Sequence, residues 1–487
     1  MPGGDWLRPV WLQRCCYMPD ADERRAQRRI LLIVAGAFFM ENLDSTILAT
    51  ALPAVAVSLQ ANPLHLSLAL TAYLLGLALF IPLSGWIADR HGARRVFGAA
   101  VLVFLFGSIL CGFAQNTLQL VAARALQGVG GAMMVPVGRL VVLRRLPKHE
   151  MVASMAWITL PALVAPIIAP LLGGVIATYT SWRWIFFINV PIGLAGLLIA
   201  NRYIPRDDQR TIEPLDLKGW SLLGTGLASL LFALELMGKG LIDPRADAAL
   251  ALIGIASLAL YVWHALRIPH PILQLALLKV ATFRAAVLGG SLFRISAGAT
   301  TFLLPLMLQT GFGYSAAASG GMTFMGAVGA MAMRARAAAL VRRYGFRQVM
   351  LTDALISAAL MAAGALLTPD TPRAVLMVLF TAVGLSRSIM YTCVNTMGYS
   401  DMDDQRMSQA TSFAGTAQQL ALTAGVALAA QVLQWSAHLQ GHTLLQADDF
   451  PAAYLVLGAV SLLPMLVYMR LHPAAGNSVS GHQLKTL

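Results

Sequence analysis

"FFMENLDSTILATALP", residues 38–53, lies in the first long apolar run of the chain and carries two carboxylates, Glu41 and Asp44. At i and i+3 the two acids share one helix face. The run around them is about as long as a helix that crosses a hydrocarbon core of ~30 Å. The rest of the chain says whether it lies in lipid. Of 487 residues, 58% are hydrophobic and only 12% charged, where a soluble domain has about 25% charged. Mean hydropathy is +0.69. Apolar residues gather in runs of about twenty throughout. These features exclude a soluble helical protein and predict an all-α polytopic membrane protein.

The spans fall near 30–55, 67–88, 97–115, 118–143, 151–177, 182–202, 218–237, 248–266, 284–309, 317–340, 349–367, 374–396, 407–435 and 451–470, about fourteen helices. An even count puts both termini on one side. Alternate loops hold "ERRAQRR", "DRHGARR", "RRLPKHE", "RYIPRDDQR", the basic residues of 267–284, and "VRRYGFR". The other loops are nearly free of Lys and Arg, so the positive-inside rule places the basic set and both termini in the cytoplasm. The net charge of +13 is therefore topology, and no nucleic-acid partner is expected. The first run is too long for a signal-peptide h-region. Met18 is an acceptable initiator, so the residues before it are assigned no role.

"RHGARRVF" at 90–97 returns as "RYGFRQVM" at 343–350. The same offset carries the first span onto the start of the ninth. The chain thus divides into a cytoplasmic segment (1–29), a six-helix half (30–203), a linker with two inserted helices (204–283), a second six-helix half (284–471) and a tail (472–487). Duplicated halves around a midplane site are the build of secondary transporters. A channel or a membrane enzyme has no comparable need for them.

An ionised Asp at the bilayer centre costs about 2.5–3.5 kcal/mol, so an acid held there is a functional candidate by default. Such a carboxyl can take up a proton and release it when water or a cation arrives. The plainer alternative is that Asp44 only pairs with a buried base. A partner is available in Arg124, about 9 Å down span 4 from the outer face where Asp44 is about 16 Å below the outer end of span 1, at 1.5 Å per residue; a lone buried guanidinium is costly, so a role in proton coupling is expected of it. Gln127 lies one turn on from Arg124. Gly128, Gly130 and Gly131 suit close helix packing. After span 2, Gly85 permits close packing, Asp89, Arg90 and Arg94 can form a charge cluster, and Gly92 interrupts them. Span 5 holds Pro161, Pro166 and Pro170 with Gly173 and Gly174, a pattern expected to bend the helix. Gln127, Arg294, Gln309, Asn395 and Gln418 are polar at membrane depth and are candidates to line a cavity. Met-rich walls suit loose recognition of apolar ligands.

The chain contains no G-x-x-x-x-G-K-[ST], H-E-x-x-H or G-x-S-x-G pattern, so neither ATP-driven pumping nor membrane-enzyme chemistry is expected. Cys15, Cys16, Cys111 and Cys393 form no metal or disulfide pattern. No cofactor or metal is expected.

Five blocks carry a resemblance: "LDSTILATALP", "GWIADRHGARR", "RALQGVGGAMMVPVGRL", "PIIAPLLGG" and "WRWIFFINVPIG". Across residues 30–470 the chain resembles the fourteen-span drug:proton antiporters of the major facilitator superfamily, of the EmrB/QacA type. The resemblance implies proton-coupled export of small organic compounds across the bacterial cytoplasmic membrane by alternating access. It makes Asp44 the span 1 acid and Arg124 the coupling arginine. It assigns Asp89, Arg90 and Gly92 to the loop that locks the halves, and Pro170, Gly173 and Gly174 to the antiporter motif. Two departures stand out. Ala165 and Ala169 precede the prolines where the family has glycine, and Glu41 stands where similar proteins have a neutral amide. A second acid favours cationic substrates or a higher proton count. A dedicated exporter of one metabolite, such as a siderophore, peptide or amino acid, is the alternative on the same fold. Nothing in the sequence identifies a periplasmic adaptor or an outer-membrane channel.

Overall fold

The computed structural model describes residues 21–145, 151–203, 215–237, 243–403, 406–442, 444–476 and Val479. Cys15, Cys16, most of the expected N-terminal segment, the start of the linker and the end of the tail lie outside the described residues. Among the described residues the secondary structure is helical, with no strand. Backbone groups in lipid have no water to bond, so a helix, which satisfies them internally, is the solution the apolar runs impose. Among the described residues twelve helices are long and apolar enough to cross a membrane, and two shorter apolar helices, Val164–Tyr179 and Trp184–Ala200, complete the expected set of about fourteen.

The first five spans are α1 (Ala21–Ser58), α2 (Ser67–His91), α3 (Ala93–Phe113), α4 (Thr117–Arg145) and α5 (Met151–Tyr179). The sixth is α6 (Trp184–Phe187) followed through Ile188 by α7 (Asn189–Tyr203). The inserted pair is α8 (Leu217–Leu236) and α9 (Pro244–Ala265). α10 (Ala281–Leu306) opens the last six spans. α11 (Ala316–Gly364) holds two spans in one element, broken at Gly345. Then come α12 (Arg373–Met397), α13 (Met407–Leu439), and α14 (Phe450–Leu462) with α15 (Pro464–Tyr468).

One expected boundary changes. α1 starts at Ala21, so the basic stretch expected to lie outside the first helix is part of it. Arg29 stacks on Tyr203 at 4.5 Å, tying that basic end to α7. The tenth and eleventh spans, expected as separate helices, are two helices that meet at a kink at Gly345. Gly345 has φ +77°, and Gly92, its counterpart in the sequence repeat, has φ +86°. Both lie in a region that residues with a Cβ rarely enter. The repeat therefore extends to backbone conformation.

The first six spans pack together, as do the last six, and the two groups meet along α5 with α11 and α2 with α13. Contacts at the end away from the basic loops are close. A Cβ on Gly174 would strike the Ala316 carbonyl, and one on Gly320 would strike that of Pro170. Gln309 Nε2 donates to the Thr50 carbonyl at 2.8 Å, and Ala317 N donates to Thr178 Oγ1 at 3.0 Å. The inserted α8 lies beside the α2–α13 seam. Ser67 and Thr71 of α2 both donate to its buried Glu235. Trp220 Nε1 donates to the Leu79 carbonyl at 2.9 Å, and Gln431 of α13 donates to that of Met237.

Candidate functional site

Asp44 leaves α1 toward the interior of the first six spans, where it is 1% exposed. Arg124 of α4 meets it there in a buried ion pair, Nη1 to Oδ2, both side chains fully enclosed. Gln127 Nε2 donates to Asp44 Oδ1 at 2.9 Å, and Asn189 Nδ2 donates to the same oxygen at 3.0 Å. Arg124 Nη1 also donates to Gln127 Oε1 at 2.8 Å. Ser108 of α3 accepts from Asn189 at 3.0 Å and Gln127 at 3.2 Å, and donates to the Phe186 carbonyl at 2.9 Å. The Arg124 guanidinium lies 4.0 Å from the centre of the Tyr73 ring of α2. Its Nε and Nη2 have no hydrogen-bond partner. The aromatic face is thus the neighbour that offsets part of their desolvation.

Five of the first six spans therefore converge on one carboxylate. Charges this deep are costly unless paired and hydrogen-bonded. The local sequence makes the convergence possible. A Cβ on Gly107 would sit 2.8 Å from Gln127 Cα, and one on Gly128 would strike the Tyr73 carbonyl. Gly130 is pressed equally close to α3 at Phe104. These glycines are packing devices that let α2, α3 and α4 approach to backbone contact.

Glu41 is separate from this network. It is 8% exposed and accepts from Asn42 Nδ2 at 2.9 Å. Its electrostatic neighbours are Asp44 and Arg139. Tyr73 packs its ring against Arg124, and its hydroxyl donates to the Glu41 backbone carbonyl at 3.5 Å. Sharing a face did not give the two carboxylates a shared partner.

The other expected residues divide. Gln127, expected to line a cavity, is instead fully buried in the Asp44 network. Gln309, expected in the same role, bridges the π-helical turn Met307–Gly311 after α10 to α1. A long polar side chain next to a buried charge or an open carbonyl is drawn to it. Arg294 is 5% exposed and donates to Asn395 Oδ1 at 2.8 Å. Asn395 is exposed and Gln418 half-buried. Gly85 meets nothing within 4 Å, so close packing there is corrected to open space. Asp89 and Arg94 are both engaged by neighbours, and Arg90 stacks on Trp86 at 5.0 Å. α5 stays helical through Pro161, Pro166 and Pro170. Gly173 lies against α1, where a Cβ would sit 2.8 Å from the Ile47 carbonyl, while Gly174 faces α11. Ala165 and Ala169 are fully buried.

Sequence reasoning missed Asn189, Ser108 and Tyr73. Asn189 stood inside the quoted "WRWIFFINVPIG", and a buried amide in an apolar run was the available signal. Among the described residues no cluster of His, Cys, Asp and Glu is suited to a metal ion.

The Major Facilitator Superfamily pattern matches residues 34–426. The chain belongs to the major facilitator superfamily. As a member it is a multi-pass membrane transporter for small molecules. It is 37% identical to the "Putative multidrug resistance protein MdtD" of Serratia proteamaculans, over 90% of this chain and 92% of that one. The protein of the same name from Klebsiella pneumoniae is 37% identical over 92% and 95%. Among solved superfamily structures, the POT family transporter PepTSo aligns with a TM-score of 0.67 at 12% identity, covering 91% of this chain and 97% of that one. A D-xylose–proton symporter aligns at 0.66 and 15% identity, covering 92% and 98%. At such identities the structural likeness establishes the fold alone.

Proposed function

We infer that this chain is a proton-coupled exporter of amphipathic or cationic organic compounds, working by alternating access in the bacterial cytoplasmic membrane with both termini in the cytoplasm. It is a transporter and not an enzyme. The observation that carries the reading is the buried Asp44–Arg124 pair with Gln127 and Asn189 on the same carboxylate. Adding a proton to Asp44 removes its charge and frees Arg124, so the pair has two states that differ in which helices are tied together. The name of the relatives at 37% identity supports multidrug export. The close seam at the end away from the basic loops supports a rocking motion, since the two groups of spans need a joint that closes at one end while the other opens. In this reading Gly174 and Gly320 are the closing surfaces, and Gly92 with Asp89 and Arg90 belongs to the opposite end.

The test uses everted vesicles with ethidium as probe and a pH-sensitive dye. Wild type is expected to release protons from the vesicle lumen when ethidium is added. Asp44→Asn is expected to lose that release by at least ten-fold, or about 1.4 kcal/mol of coupling. Undiminished release in Asp44→Asn would remove Asp44 from the coupling step.

A further inference from the structure

The last six spans hold a buried acid that the Asp44 site does not use. Asp353 lies in α11 about 12 Å beyond Gly345 at 1.5 Å per residue, and is 4% exposed. Its Oδ2 has no hydrogen-bond partner. Ser386 of α12 is the hydroxyl that acts on the carboxyl group, and Ser386 Oγ is 2.7 Å from Ser357 Oγ. Both serines line a cavity of about 30 Å³ between α10, α11, α12 and α14, room for about two water molecules at 10–15 Å³ each. Thr300, Ser296 and Ser461 add hydroxyls to the same wall, and Ser461 donates to Ser296 at 2.8 Å.

The charged and titratable groups around Asp353 come from every packed side. Cys393 faces it from α12 and Tyr468 from α15. Arg294 of α10 acts on Tyr468, and Arg387 of α12 stands at the cavity wall. Arg387 contacts Thr301 at 3.4 Å, and Arg294 contacts Asn395. Among the described residues neither arginine forms an ion pair with Asp353. A serine neighbour alone would be served as well by Asn, without the cost of a charge in the membrane. A carboxylate kept without a cation, behind a pair of hydroxyls and a cavity with further hydroxyls among its apolar wall, has the parts of a proton port.

We propose that Asp353 is a second proton-binding site, loaded from the cavity through Ser357 and Ser386. A hydronium ion in the cavity gives its proton to Ser357 Oγ as Ser357 passes its own to Ser386, and Ser386 passes its own to Asp353. One O–H bond breaks on the hydronium ion and leaves water. One forms on Asp353, both hydroxyls are regenerated, and no electrons change hands. Proton binding at Asp353 stands independently of Asp44; its use in transport rests on the exporter reading above.

The test uses the full-length protein in lipid nanodiscs with the proton as its own probe. Infrared titration is expected to show a protonated-carboxyl stretch that is absent in Asp353→Asn, shifted in Asp353→Glu and retained in Asp44→Asn. Proton uptake after a pH drop, followed with an indicator dye, is expected to fall by about one proton per chain in Asp353→Asn. The Ser357→Ala/Ser386→Ala double variant is expected to take up the same number about ten-fold more slowly. An unchanged band and uptake in Asp353→Asn would overturn the proposal. So would an unchanged rate in the double variant. If Asp353→Asn does not fold, the band shift in Asp353→Glu decides the assignment, and its absence rejects it. Because no substrate is used, failure here is distinct from failure of the exporter reading.

Discussion

Asp44 and Asp353 are both buried acids, one in each group of six spans, and they are held in opposite ways. Asp44 has a guanidinium and two amides on its oxygens. Asp353 has the Ser386 hydroxyl, an unpartnered oxygen and a small cavity with hydroxyls on its wall nearby. The first arrangement is electrostatically closed, so its charge is compensated and several helices depend on it. The second is open, so its charge is uncompensated and little of the fold depends on it. Burial depth alone therefore says little about what an acid does for a membrane protein; the partners do.

The contrast is broken or sharpened first at Arg124. Replacing it by Leu leaves Asp44 as an uncompensated buried charge, and the expected loss is about 3–5 kcal/mol of stability. Asp353→Leu removes a charge with no paired cation, and its expected cost is below about 1.5 kcal/mol. Unfolding titrations in micelles compare the two. Equal losses would mean that Asp353 is as tightly built into the fold as Asp44. A middle-sized effect tests the repeat that relates the two regions. Gly92→Ala and Gly345→Ala place a Cβ at φ +86° and +77°, at an expected cost of about 1–3 kcal/mol each. Thermal unfolding of the two variants should agree closely, and a large difference would confine the resemblance of the two glycines to sequence. The smallest effect is at Ser108. Ser108→Ala removes the acceptor shared by Gln127 and Asn189 but leaves both amides on Asp44, so a loss of about 1 kcal/mol is expected in the same assay. A loss as large as that of Arg124→Leu would make Ser108, and not the ion pair, the keystone of the network.

Much of this was legible in the chain, but unevenly. The pairing of Asp44 with Arg124 followed from matched depths in antiparallel spans, because helix rise is uniform and a long side chain absorbs a mismatch of several ångströms. Gln127 and Gln309 were expected to line a cavity and instead bond to Asp44 and to the Thr50 carbonyl. Their residue type was informative and their direction was not, since helix rotation about its axis leaves no local trace in the sequence. Asp353 met the same rule that selected Asp44, an acid inside an apolar run, and was passed over because no motif surrounded it. Glu235 was passed over for the same reason, and it proved to be where α8 docks on α2. Gly85 shows the converse. A glycine in a familiar block suggested close packing, and the space beside it is open.

By itself the sequence determined that the chain crosses a membrane many times, as helices, in two related sets. Each of those conclusions is local: hydrocarbon thickness sets the run length, the lack of water in lipid forces the helix, and the repeated R-x-G-x-R marks its own copy. The tertiary structure alone decided which polar groups meet. Asp44 and Arg124 are 80 residues apart, and Asp44 and Asn189 are 145 apart. Whether such groups touch depends on the rotation and tilt of whole helices. Those are set by the summed packing of glycines and apolar side chains along their length, which no single stretch encodes.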